Sequence, residues 1–156
     1  MENKEAEDEL YMKGYSEMIY RIAYTVLKSK SDAEDTLQEV LIKYVTTNKK
    51  FKDEEYKKRW LIRVTLNMSY NLKKSAWKRH TVPLEDEIKF EHKYQDEIFD
   101  IIERLDKKYK DVVCLYYYED VPIKEISKIL KISEDNVRKR LSRARKKLEL
   151  LLREDF

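Results

Sequence analysis

Apolar residues fall at helical spacing along most of this chain. Between Tyr15 and Leu27, Met18, Ile19, Ile22, Ala23, Val26 and Leu27 make one stripe and predict an amphipathic helix. The next segment opens with Ser31-Asp32-Ala33-Glu34, a capping box in which the serine side chain and the glutamate three residues on satisfy each other's backbone N–H groups. The helix that follows carries Leu37, Val40, Leu41, Tyr44 and Val45 inward and shows Asp32, Asp35, Gln38, Glu39 and Ile42 on its other face. Residues 46–55 are polar apart from Phe51 and read as a loop, with Asp53 placed to cap a long helix ending near Arg79. In that helix Tyr56, Trp60, Val64, Met68 and Leu72 recur mostly at fourth positions and predict the core side. Arg59, Arg63, Asn67, Tyr70, Asn71 and Lys74 line an adjacent polar side.

Residues 80–97 break the pattern. They contain Pro83, are acidic and have no sustained apolar face, so they predict a linker of roughly 17 residues, about 55 Å when stretched. Helical spacing resumes with Ile98, Ile101, Ile102 and Leu105, then Val112, Val113 and Leu115. Two further helices, at about Ile123–Leu130 and Glu134–Leu151, are separated only by Lys131, Ile132 and Ser133, which forces a steep crossing of the helix-turn-helix kind. Ser127 is small where the helices would cross, Ile132 plugs the turn and Ser133 is placed to cap the second helix. Lys131 occupies the turn position that usually holds glycine; a left-handed backbone there costs about 1 kcal/mol.

Composition narrows the class. One Gly and two Pro in 156 residues leave little for hairpins or phosphate loops, so the fold should be all-α. Charged residues make up 42%, mean hydropathy is −0.81, and no apolar run approaches the roughly 20 residues a membrane span needs. The acidic start MENKEAEDEL is unlike a signal peptide, and a cytoplasmic protein with no membrane insertion is expected. A single cysteine, Cys114, excludes a disulfide framework and a thiolate zinc site; within DVVCLYYY it should be a small buried side chain. No metal ligands, cofactor or catalytic residues are expected.

The net charge of +3 conceals segregation. Lys57 to His80 holds eight Lys or Arg and no acid, Arg138 to Arg153 eight and a single acid, and Glu85 to Asp106 between them is mainly acidic. Two basic blocks suggest two contacts with a polyanion. At roughly 100° per residue, the last helix puts Val137, Leu141, Ala144 and Leu148 on one side and Asp135, Lys139, Ser142 and Lys146 opposite, flanked by Arg138 and Arg143. A helix with a core seam and an outward cationic face fits the major groove of DNA.

Three stretches together, DAEDTLQEV (Asp32 to Val40), WLIRVTLNMSYNLKK (Trp60 to Lys74) and EISKILKISEDNVRKRLSRAR (Glu125 to Arg145), resemble the bacterial sigma-70 family of RNA polymerase sigma factors, specifically its extracytoplasmic-function group. The resemblance covers nearly the whole chain. It implies two small helical domains, a sigma region 2-like domain over 1–80 and a region 4-like helix-turn-helix domain over 97–156, joined by a flexible linker at 81–96. It also implies core RNA polymerase and promoter DNA as partners, and an inhibitory anti-sigma factor. By position, Asp35, Gln38, Glu39, Leu41 and Ile42 would meet polymerase. Asn48, Lys50, Phe51, Arg59, Arg63, Asn67, Asn71 and Lys74 would face the −10 strand, and Arg138, Lys139, Ser142, Arg143 and Lys146 the −35 groove. Asn71 stands where the family often has Asp, Lys74 where Arg is usual, and Lys107 in place of a common Pro; the first two bear on the preferred −10 sequence.

Opening DNA costs about 1.4 kcal/mol per base-pair step in stacking, which two small domains cannot supply. They can trap one or two unstacked bases, so a larger partner must do the rest. Trp60 and Tyr56 are expected in the core, Tyr116–Tyr118 as helix packing plus surface, and Trp77 is a candidate for base stacking. A stand-alone helix-turn-helix regulator would explain the C-terminal half but leave the acidic helix and residues 57–79 without a task. A carboxylate nuclease is disfavoured because the acids lie on exposed faces or in the linker and His80 and His92 have no matching ligand set.

Overall fold

The computed structural model describes residues 2–79 and 97–155, and every regular element among them is helical. Contacts divide the chain into two units, Met1–Lys89 and Phe90–Phe156. The expected linker at 81–96, with His80, His92 and Pro83, lies outside the described residues, as does the side chain of Trp77.

The first unit contains α1 (Glu2–Met12), α2 (Tyr15–Leu27), α3 (Lys30–Thr46) and α4 (Glu54–Arg79). Helix α2 packs against both α3 and α4. It buries Met18, Ile19, Ile22, Ala23 and Val26 of the stripe its spacing predicts, and Leu27 is half-buried. Asp53 caps α4, accepting a bond of 2.8 Å from the Tyr56 amide.

The helices before α4 hold two features that the spacing of apolar residues did not predict. The acidic N-terminus, where no helix was expected, forms α1, which seats Leu10 fully in the core. Gly14 joins α1 to α2 at φ 77°; space is open around it, so backbone conformation alone calls for glycine. The cap of α3 is Ser29, not Ser31. Lys28 ends α2 in the left-handed conformation, and the next residue, Ser29, is extended and accepts from the Asp32 amide at 3.1 Å.

The buried side of α4 is also displaced from the expected one. Leu61, Ile62, Thr65, Leu66 and Ser69 are buried, whereas Tyr56, Trp60, Val64, Met68 and Leu72 are half-buried. A strict fourth-residue repeat drifts by about 40° per step around an α-helix, so those five cannot share one face. The observed stripe alternates short and long steps and stays put. Thr65 satisfies its hydroxyl inside this core by donating to the Leu61 carbonyl at 2.7 Å.

A polar cluster ties α1 to α3 and α4. Glu9 receives Lys57 at 3.1 Å, Lys13 at 3.2 Å and the Tyr44 hydroxyl at 3.2 Å. Glu54 receives Lys13 and the Tyr15 hydroxyl, each at 2.9 Å. The Lys57 hydrogen bond holds the Glu9 carboxyl below its ordinary range, against the opposing pull of desolvation. Lys13, followed by Tyr15, does the same for Glu54. Tyr15 is pushed up to about 12, mainly by burial and then by Glu54.

The second unit contains α5 (Glu97–Ile102), α6 (Lys107–Val113), a π-helical turn at Cys114–Tyr118, α7 (Ile123–Leu130) and α8 (Glu134–Asp155). Helix α8 packs on α5, α6 and α7. Ile102, Leu105, Tyr109, Val113, Cys114 and Ala144 form a buried cluster, with Tyr118, Leu148 and Leu151 packed against it. Burial pushes the Cys114 thiol far up, so it is an inert core group. Lys110 and Glu103 pair at 3.2 Å with side chains only 6% and 11% exposed, which offsets the cost of taking the ammonium out of water.

Candidate nucleic-acid interface

The turn between α7 and α8 decides where the cationic helix points. Lys131 is left-handed, φ 59°, as its position requires. Ser127 does more than leave room: its hydroxyl donates to the Ile132 carbonyl at 2.6 Å, while the Ser127 carbonyl accepts the Ile132 amide at 3.1 Å. These bonds close the turn on both sides. Ser133 then caps α8, accepting from the Asn136 amide at 3.1 Å.

Once started, α8 is held by Val137, Leu141 and Ala144, all buried. Arg138, Lys139, Ser142, Arg143 and Lys146 are consequently exposed, together with Asp135. Arg138 is held on its own helix by Asp135 at 3.1 Å and Glu134 at 3.4 Å. Lys139, Arg143 and Lys146 present cations on the face away from the core seam, with the Ser142 hydroxyl among them. The helix extends to Asp155, one turn beyond the sequence estimate.

On α4, Arg63, Asn67, Asn71 and Lys74 lie within an arc of about 80° turned away from the buried stripe. Asn67, Asn71 and Lys74 are exposed; Arg63 and Arg59 are half-buried. The Arg59 guanidinium stands 5.3 Å from the centre of the Tyr56 ring. Asn48 and Lys50 are exposed in the loop before α4.

Phe51, expected to face the −10 strand, also has a packing role. Its ring is half-buried in an aromatic cluster, with centroids 5.2 Å from Trp60, 5.8 Å from Tyr44 and 5.8 Å from Tyr56. It anchors the loop between α3 and α4, so that Asn48 and Lys50 are presented by a fixed support. Sequence reading missed this cluster because its members come from α3, the loop and α4. The available signal was a lone aromatic in a polar loop between two aromatic-bearing helices.

On α3, Asp35, Gln38, Glu39 and Ile42 are exposed on one acidic face, Ile42 at 57%. Leu41 does not belong with them. It is only 9% exposed and packs into the unit, since it lies beside Val40 on the inward side of the helix. Among the described residues, no group of three His, Cys, Asp or Glu could hold a metal ion, and no helix is long and apolar enough to cross a membrane.

Comparison with known proteins places both units. Residues 12–79 match the family "Sigma-70 region 2" and residues 95–148 match "Sigma-70, region 4". The chain is 26% identical over 144 residues to RNA polymerase sigma factor SigV of Bacillus subtilis, covering 88% of this chain and 86% of that one. It is 29% identical over 154 residues to ECF RNA polymerase sigma factor SigM of the same organism, covering 92% and 93%. Among solved structures, the sigma factor RpoE of Bartonella quintana, crystallised with the anti-sigma factor NepR, superposes with a TM-score of 0.76 at 19% identity, covering 98% of this chain and 99% of that one. CnrH, solved in complex with the cytosolic domain of CnrY, gives 0.67 at 19% identity, covering 96% and 88%.

Proposed function

Since this chain belongs to the sigma-70 family of RNA polymerase sigma factors, in its extracytoplasmic-function group, we propose that it recognises promoters through two separate surfaces while mounted on core polymerase. The family acts in promoter-specific transcription initiation. The exposed acidic face of α3, Asp35, Gln38, Glu39 and Ile42, is the polymerase-binding surface. Asn48, Lys50, Arg63, Asn67, Asn71 and Lys74 receive the −10 strand, supported by Phe51 and Arg59 at the aromatic cluster. Lys139, Ser142, Arg143 and Lys146 enter the −35 major groove, with Arg138 at the N-terminal end of the same helix.

The observation that carries this reading is the face of α8. A bonded three-residue turn and a serine cap aim a helix whose inner side is buried and whose outer side is exposed cations and a hydroxyl. Arginine and lysine in a major groove pair with guanine edges or phosphates, and each good base contact contributes about 1–3 kcal/mol of discrimination. Recognition alone does not open the duplex. At about 1.4 kcal/mol per step the cost of a bubble falls to polymerase, while the −10 surface traps unstacked bases. The chain's contribution is recognition, and the chemistry of RNA synthesis belongs to its cytoplasmic partner. The RpoE complex with NepR motivates one more element of the proposal, an anti-sigma protein that covers these surfaces and keeps the chain off polymerase.

The test is a pair of binding measurements. The purified chain should bind core polymerase tightly and free promoter duplex weakly. Tight, sequence-specific binding to free duplex with no affinity for polymerase would identify a stand-alone regulator and refute the proposal.

A further inference from the structure

Tyr117 is 49% exposed although it belongs to the apolar run that packs α6 and the π-helical turn into the core. Its orientation is fixed twice. Its ring stands edge-on to Tyr116, centroids 4.9 Å apart and planes at 90°. Its hydroxyl accepts a hydrogen bond of 2.7 Å from Nε of Arg145, 28 residues further along the chain. Arg145 is exposed on α8. At roughly 100° per residue it lies about 20° around the axis from Arg138 and two turns further on. That is the flank of the helix, beside the outward face and not at its centre. A side chain there meets the sugar–phosphate wall when the outward face enters a groove.

The chemistry of the partner matters. A carboxylate would also orient the guanidinium but would cancel its charge, as Glu134 and Asp135 do for Arg138. The phenol is neutral. Among the described residues, no carboxylate lies within ion-pair distance of Arg145. Its full charge and both terminal amino groups therefore stay available, and those groups form the fork that matches a phosphate. Ordering a long side chain on binding costs about two- to tenfold in affinity, and a side chain already held avoids that loss.

We propose that Tyr117 is a positioning residue that holds Arg145 ready to contact a DNA phosphate beside the −35 element. The inference rests on the placement of α8 in that groove. It assigns work to an exposed tyrosine that neither the core nor the base-reading face explains.

The experiment measures holoenzyme, assembled from core polymerase and the full chain, binding to promoter DNA across a salt series. Variants Tyr117→Phe, Arg145→Ala, Arg145→Lys and the combinations with Tyr117→Phe are compared, with thermal unfolding of each as a folding control. Tyr117→Phe should weaken the complex about threefold and equally for every −35 sequence, as loss of one oriented contact predicts. Arg145→Ala should reduce the magnitude of the log affinity–log salt slope by about 0.9, the signature of one lost phosphate contact. Arg145→Lys should keep the slope, and Tyr117→Phe should add nothing in either Arg145 background. Native affinity in Tyr117→Phe, or additive losses in the double variants, would overturn the role of Tyr117. If native holoenzyme is indifferent to replacement of the −35 element, the placement of α8 fails and this inference with it. Discrimination retained alongside a silent Tyr117→Phe would overturn the Tyr117 inference alone.

Discussion

Replacing Phe51 with alanine separates a structural role from a DNA-facing one. The ring is half-buried and touches Tyr44, Tyr56 and Trp60 at centroid distances of 5.2–5.8 Å. Burying a phenylalanine fully contributes about 1.5–3 kcal/mol, so half burial contributes about 1 kcal/mol. Three aromatic contacts at the low end of their range, about 0.5 kcal/mol each, bring the expected loss to about 2.5 kcal/mol. Both tryptophans of the chain, Trp60 and Trp77, belong to the first unit, so their fluorescence during urea unfolding reports on that unit alone. With a urea slope of about 2 kcal/mol per M, the midpoint should fall by about 1.2 M. Promoter opening should weaken in step, because the loop carrying Asn48 and Lys50 loses its anchor. Phe51→Leu should recover part of both. Native stability combined with lost promoter opening would refute the packing account and return the ring to the DNA.

Arg143→Ala should cost about 1–3 kcal/mol in promoter use, read as transcript yield from templates that differ at −35, and unchanged yield would remove Arg143 from the groove face. Asp35→Ala with Glu39→Ala should weaken binding to core polymerase while leaving the helical circular-dichroism spectrum intact; retained affinity would count against the α3 surface. The Glu9–Lys57–Glu54–Lys13 cluster predicts a pH profile for the docking of α1, measurable by hydrogen exchange of α1 amides. Glu9 and Glu54 have folded-state pKa values below 4.5, so their contribution is present above that pH and lost as pH falls through the lowered values. Tyr15, raised from 10.0 to about 12, contributes below pH 10 and loses its contribution as pH rises from 10 to 12. Protection of α1 that stays flat through both windows would contradict the assigned cluster.

The helix-turn-helix unit was readable in sequence because its determinants are local. Ser133 caps the helix it precedes, and Lys131 takes the left-handed turn position within a few residues of its bonding partner Ser127. The outward face of α8 follows from periodicity alone. Helix α1 was not readable, since a run rich in acids and poor in apolar residues has no reason to dock until Glu9 meets Lys57, 48 residues away. Ser29 and Ser31 are equally good caps by residue type. The left-handed Lys28 settles the choice, and it is set by how α2 ends. Leu41 and Ile42 are adjacent and both apolar; spacing along α3 already turns the first inward and the second outward, and their burial agrees. The side of α4 that is buried was not legible in this way, because aromatic and β-branched residues at regular fourth positions imitate a core stripe without staying on one face.

The most direct test is transcription by core polymerase on a whole genome of templates, with and without the purified chain, followed by sequencing of the transcript ends. Addition of the chain should create a discrete set of start sites that share upstream sequences at −10 and −35. A set of transcript ends unchanged by its addition would contradict the claim that these two helical units select promoters on RNA polymerase.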